Sequence, residues 1–149
     1  MPRLARTFIK TGLICFLSAL LIGVGREFES LDLPVLRPLF WHLLMVGWIT
    51  QIIFGVSMWM FPGRTKEEGF MAQKWGWLTY LFLNTGLLLR LIAEPQLSYS
   101  SFSLWPNLVF LSAILQLSAA ITYAIEMWPR VMSKKQRRQR RKQQRSQKK

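Results

Sequence analysis

Apolar residues run along this chain in long blocks, and short polar or Pro-Gly breaks separate the blocks. A helix that crosses a hydrocarbon core about 30 Å thick needs about 20 such residues. Four blocks meet that length. The first covers residues 8–25, with Lys10 near its start, where a long aliphatic stem carries the ammonium to the headgroups. The second, residues 39–61, has His42 as its one titratable group and stops at Pro62 and Gly63. The third, residues 75–92, holds Arg90 near its end and is closed by Glu94 and Pro95. The fourth, residues 104–128, has Pro106 in its first turn and Pro129 just past its end, two places where a missing N–H is tolerated. The pattern predicts an all-α integral membrane protein, a four-helix bundle built by residues 1–132 with short connections and no soluble domain. A competing reading takes residues 1–25 as a cleaved signal peptide, with Arg3, Arg6 and Lys10 ahead of the apolar run and Gly23-Val24-Gly25 as the cleavage site.

Charge changes the picture at one end. The 149 residues are 51% hydrophobic yet carry a formal charge of +13. Half of the 20 Lys and Arg residues fall in residues 133–149, SKKQRRQRRKQQRSQKK, which contain no acid, so the body is close to neutral. A globular nucleic-acid-binding domain needs bases spread over a folded face, which the body does not offer. The tail has no aromatic residue on which bases stack, so nucleic acid is not the expected partner, and a membrane-anchored nucleic-acid tether is the weakest reading. The tail reads instead as a disordered polybasic segment drawn to anionic lipid headgroups, at about 1 kcal/mol per base near the surface.

Lys and Arg also orient the bundle. The amino terminus (Arg3, Arg6, Lys10), the middle loop (Arg64, Lys66, Lys74) and the carboxy-terminal end (Arg130 and the tail) are rich in them. In the first loop Arg26 and Arg37 face Glu27, Glu29 and Asp32, and the third loop has no base. This predicts a multi-pass cell-membrane protein with both termini cytoplasmic, N-in and C-in. Trp41 and Trp105 then fall at the outer ends of their spans, and Trp59, Trp75, Trp77 and Trp128 at the inner ends, as interfacial belts.

Ionisable groups inside a span are costly and mark candidate sites. His42 lies three residues into the second span and Arg90 near the outer end of the third, so at 1.5 Å per residue both sit roughly 5 Å below the outer boundary. A guanidinium beside an imidazole at one depth suits an anionic ligand with a metal centre, and a haem with its propionates is such a ligand. The plainer alternatives are a histidine hydrogen-bonded to a backbone carbonyl or headgroup, and an arginine paired with Glu94. At about 100° per residue, Arg90 shares a face with Gly86, Leu83, Thr79 and Gly76, which is expected to look into the bundle. The face of His42 carries Ile49, Ile53 and Met60, with Gly47, Gln51 and Gly55 opposite, so both faces have reasons to be buried, one for the histidine and one for close packing. Gln51, Asn84 and Gln116 are expected to form interhelical hydrogen bonds, and Glu126 to meet Arg64 or Lys66. No nucleophile, acid and base come together, the single Cys15 excludes a disulfide framework, and one histidine excludes a multi-histidine metal cage within one chain.

The segment LRPLFWHLLMVGWITQIIFGVSMWMFPG, Leu36 to Gly63, followed by GLLLRLIAEP, Gly86 to Pro95, resembles the amino-terminal helices of the haem-copper oxidase catalytic subunit superfamily. In that superfamily a histidine near the outer end of the second helix ligates the low-spin haem. His42 corresponds to it in helix and depth, and Gly47, Trp48, Gly55 and Pro62 fit the pattern that follows. The resemblance implies His42 as a metal ligand to a b-type haem, with Arg90 beside a propionate. Full catalytic subunits also carry a second low-spin haem histidine, a high-spin haem ligand and a set of copper-ligating histidines, none of which a chain with one histidine supplies. The relatives often place an arginine close before the histidine, whereas Arg37 stands five residues upstream here. The resulting expectation is a non-catalytic, haem-copper-oxidase-like membrane unit for electron transfer or gas sensing. It would work as a homodimer that contributes His42 twice, beside a histidine of a larger membrane complex, or with a five-coordinate haem. The alternative is a haem-free accessory or assembly subunit of such a complex.

Overall fold

In a computed structural model of the protein, the structure describes residues 2–28, 36–61, 74–99, 102–131 and 146. Four helices long and apolar enough to cross a membrane account for nearly all of these residues, and no strand occurs among them. α1 spans Arg3–Gly25, α2 Leu36–Met60, α3 Trp75–Tyr99 and α4 Leu104–Met127, and one 3₁₀ turn, Trp128–Arg130, follows α4. The expected all-α, four-span architecture is what the chain adopts. The basic tail, residues 133–149, lies outside the described residues except for Ser146, as does the loop that holds Arg64 and Lys66.

Local chemistry sets the helix ends. Phe61 is extended, φ −85° and ψ 142°, because the ring of Pro62 disfavours a helical conformation in the residue before it, so α2 stops at Met60. Pro95 does not stop α3. The helix continues through it to Tyr99, whereas the apolar pattern ends it at residue 92. A proline inside a helix removes one backbone hydrogen bond, and membrane helices tolerate this where neighbours satisfy the freed group. The extension matters because it places Glu94 within a helix instead of in a loop. α2 is also not uniform. Its α-helical turns at Leu36–His42 widen into a π-helical stretch, Leu43–Thr50, before α-helix resumes at Gln51–Met60. Thr50 follows the wide register, donating its hydroxyl to the carbonyl five residues back, Met45 O, at 2.8 Å.

The helices pack through small residues. α1 buries Ala5, Phe8, Gly12, Cys15 and Ala19, spaced alternately by three and four, against Gly47, Gln51 and Gly55 of α2. The approach is close enough that a Cβ on Gly55 would lie 2.9 Å from Phe8 Cβ, and one on Gly47 2.8 Å from Cys15 Cβ. Membrane helices have no difference in hydrophobicity to drive them together, so this close contact supplies the attraction. α3 and α4 form the most extensive pair, and Gly76, Thr79, Leu83 and Gly86 of α3 are all buried, as the phase of Arg90 implied. Of the two faces of α2, the one that carries Gly47, Gln51 and Gly55 is buried as its close-packing residues imply, and the face of His42 is not. Ile53 and Met60 are exposed by 55% and 72%, and the buried face runs through Leu43, Gly47, Gln51, Gly55 and Met58.

Two apolar clusters divide the bundle along its length. At the end where α1 begins and α4 finishes, Phe8, Phe54, Met58, Leu83, Ala119 and Met127 form a core to which all four helices contribute. At the other end Cys15, Ala19, Leu43 and Leu87 pack with Ile22, Phe40, Leu44 and Leu91, and α4 contributes none of them. Between the two, Gln51 Nε2 donates to Asn84 Oδ1 at 3.0 Å, joining α2 to α3 as expected. Gln116 behaves otherwise, since its buried Nε2 has no hydrogen-bond partner. Leu13, Ile14, Leu17 and Leu21 of α1 and Phe110, Ile114, Leu117 and Ile121 of α4 point outward, consistent with contact with bilayer lipid.

Candidate functional site

His42 and Arg90 stand at the end of the bundle that holds the smaller cluster, on adjacent helices. His42 sits in the last α-helical turn of α2 before the wide turns begin, and its ring folds back so that Nδ1 lies 2.8 Å from the carbonyl oxygen of Pro38. The same nitrogen is 3.0 Å from Oε2 of Glu94 on α3. Both neighbours are oxygens, one of them a backbone acceptor, so Nδ1 is the ring nitrogen placed to donate. The imidazole and the carboxylate are each about one-fifth exposed, 23% and 17%, which makes the contact between α2 and α3 a partly buried one. Glu94 Oε2 is buried and receives no hydrogen bond of its own, because the His42 N–H is directed at Pro38.

Arg90 lies one turn before Glu94 on α3. Its Nε is buried without a hydrogen-bond partner, and Arg90 makes no ion pair among the described residues. The pairing of Arg90 with Glu94 that their four-residue spacing offers is therefore not formed. Glu94 turns to His42, and the guanidinium is left with donors unmet. A buried guanidinium N–H without an acceptor is an energetically open position, since an unmet charged donor costs more than a neutral one. No group of three or more His, Cys, Asp or Glu gathers among the described residues.

A model of one protein family, described as NnrS protein, matches residues 3–135, which covers all four helices. The chain belongs to the NnrS family. NnrS is a haem-copper-oxidase-like membrane family. No curated protein and no solved structure matches the chain.

The NnrS-family bundle also arranges a second carboxylate, at the opposite end. Glu126 of α4 is 1% exposed and pairs with Arg130 one turn on, while Arg130 Nη1 also donates to Met58 O of α2 at 3.5 Å. Arg64 and Lys66, the partners anticipated for Glu126, lie outside the described residues. Arg130 had counted only toward orientation, although its four-residue spacing from Glu126 was available as a signal.

The residue most clearly missed at the His42 end is Glu94. It had been read as part of a helix stop and as a neutraliser of Arg90. Its depth matches that of His42 once α3 is allowed to run past Pro95, and nothing in the apolar pattern requires that continuation.

Proposed function

We propose that this protein is a membrane haem-binding unit of the NnrS family that ligates a b-type haem through Nε2 of His42, for electron transfer or gas sensing. The family's association with haem and with the response to nitric oxide supports this reading. The observation that carries it is the anchoring of His42. Ligating histidines characteristically give their other ring N–H to a carboxylate or backbone carbonyl, and Nδ1 has both within 3.0 Å, which leaves Nε2 as the donor atom. The unmatched Nε of Arg90, one turn from Glu94, fits an anionic edge such as a propionate. A bound haem would supply one-electron exchange or an open iron position. The chain contributes His42 to hold the iron and Arg90 to hold the carboxylate, and the apolar side chains of α2 and α3 exclude water. One chain offers one imidazole, so a second copy of the chain, or a histidine of a larger membrane complex, completes a six-coordinate site.

The test is a reduced-minus-oxidised optical spectrum of the purified membrane protein after haem supplementation, in the wild type and in His42→Ala. A b-type spectrum that His42→Ala abolishes supports the reading. An unchanged spectrum in the variant removes His42 as ligand. No Soret band in the wild type leaves the His42–Glu94 contact as a clasp between α2 and α3 in a haem-free accessory or assembly subunit. In the proposed orientation the His42 end faces outward and both termini are cytoplasmic. A carboxy-terminal reporter fusion active only outside the cytoplasm stays silent if this is right.

A further inference from the structure

We infer that the outward face of α1 that carries Arg3, Arg6 and Lys10 is a docking surface for the phosphate headgroups of anionic phospholipid, whose acyl chains lie along Leu13, Leu17 and Leu21 of the same face. The inference is independent of the haem reading and of the side of the membrane on which this end lies.

Arg3, Arg6 and Lys10 are spaced by three and four residues, so they share one face of α1, and all three are exposed. At about 100° per residue that face lies opposite the one that buries Ala5, Phe8, Gly12, Cys15 and Ala19. None of the three makes an ion pair or a side-chain hydrogen bond among the described residues, and the first turn of α1 holds no acid. Like charges at this spacing repel, so the face calls for a counter-charge from outside the chain. Beyond Lys10 the same face turns apolar, with Leu13, Leu17 and Leu21 exposed by 49%, 60% and 74%. The change from base to aliphatic within one turn matches the boundary between headgroup and hydrocarbon. Arg3 and Lys10 stand about 10 Å apart along the helix axis, a span that the lysine stem shortens by carrying its ammonium toward the headgroups.

The occupant follows from where the bases stand. A nucleic acid or an acidic protein segment meets charges that stand clear of the membrane, whereas these sit at the edge of an apolar span. A phospholipid offers phosphate and hydrocarbon in that order. Nothing else described at this end opposes the charge, because Arg130 is drawn to Glu126 and the Met58 carbonyl, and Glu126 itself is 1% exposed. At the His42 end, by contrast, Arg26, Arg37 and Arg90 stand among Glu27 and Glu94, so the charge there is mixed. The basic run of residues 133–149 follows α4 at the same end as Arg3 and adds attraction for the same headgroups. Each base near an anionic surface contributes about fivefold in affinity.

The test is mass spectrometry of the intact full-length protein, released from micelles that contain phosphatidylglycerol and phosphatidylcholine in equal amounts with matched acyl chains. The ratio of the two lipids retained is the readout. The wild type should retain phosphatidylglycerol in excess. Arg3→Gln with Arg6→Gln and Lys10→Gln should cut the ratio about fivefold or more, while Arg3→Lys with Arg6→Lys, which preserves the charge, should keep it. Arg26→Gln, at the far end of the same helix, should leave it unchanged. A wild type that retains the two lipids equally overturns the inference. So does a triple variant that keeps the wild-type ratio, which would assign the preference to residues 133–149 alone, and so does an equal loss in Arg26→Gln.

Discussion

Each end of the bundle buries an acid beside a base, and the two pairs are built on opposite plans. At the Glu126 end the pair lies within one helix, Glu126 with Arg130, and a second nitrogen of the same guanidinium reaches the carbonyl of Met58 on α2. It stands on an aromatic core to which every helix contributes. Phe54 stacks flat on Tyr123 with ring centroids 3.7 Å apart, Phe8 meets Tyr80 edge-on, and the hydroxyls of Tyr80 and Tyr123 are bonded to Thr11 and Ser57. At the His42 end the pair runs between helices, the apolar cluster lacks α4, and Arg90 has no partner among the described residues. One end uses its polar groups to close the bundle. The other keeps donors and a ring nitrogen unengaged, which is the condition for binding something.

The comparison gives predictions that separate the ends. The largest effect is expected at the α1–α2 seam below the aromatic core. Gly55→Leu should exceed the about 1–3 kcal/mol of ordinary overpacking, because the new side chain meets Phe8 Cβ and the backbone oxygen of Ala5, neither of which can swing away. No folded protein should be recovered in detergent. Gly25→Leu, at the His42 end with nothing within 4 Å of the position, should be recovered as wild type.

Next in size is Phe54→Ala. The loss of the Tyr123 stack and the Phe8 edge contact should destabilise by about 3–5 kcal/mol, against about 2 kcal/mol for Leu43→Ala in the smaller cluster. Equilibrium unfolding in mixed micelles measures both. Equal values would mean that the two ends are held equally and that the comparison is wrong. Arg130→Ala follows, at about 2 kcal/mol, since it removes the charged hydrogen bond to Glu126 and frees the Met58 carbonyl. Glu94→Leu with His42→Leu should by contrast leave stability almost unchanged, because a partly buried polar pair replaced by apolar residues of similar size is often neutral. A loss as large as that of Arg130→Ala would recast the His42 end as structural.

The smallest effect is expected midway. Gln51→Leu removes the bond to Asn84, typically about 0.6 kcal/mol. It also removes a buried oxygen that has no partner, so the net change should stay within about 1 kcal/mol in either direction.

The architecture was legible because the bilayer simplifies the problem. Block length alone gives the number of spans, and small residues at helical spacing gave the inward face of α3, where Gly76, Thr79, Leu83 and Gly86 are buried as expected. The bond between Gln51 and Asn84 was legible for a related reason, since an amide at mid-depth has few partners other than a neighbouring helix. The same argument failed for Gln116, whose buried amide nitrogen finds no acceptor. His42 and Arg90 could be placed at one end and at similar depth by counting residues from the helix ends. Their actual surroundings could not. Counting takes the helix ends from the apolar pattern, and the structure moves both, with α2 beginning at Leu36 and α3 running on to Tyr99.

The sequence by itself determined four apolar spans, a neutral body with a basic tail, and one histidine at the same end as one arginine. These follow from composition and length, which need no knowledge of how the helices meet. Only the tertiary structure decided that α3 continues through Pro95, that Glu94 faces His42 and not Arg90, and that α4 joins one apolar cluster and not the other. Those outcomes depend on contacts between residues far apart in the chain, fifty-two positions in the case of His42 and Glu94. A helix end or a salt bridge is chosen there by what the neighbouring helix offers, because in a membrane interior an unmet polar group has no water to turn to.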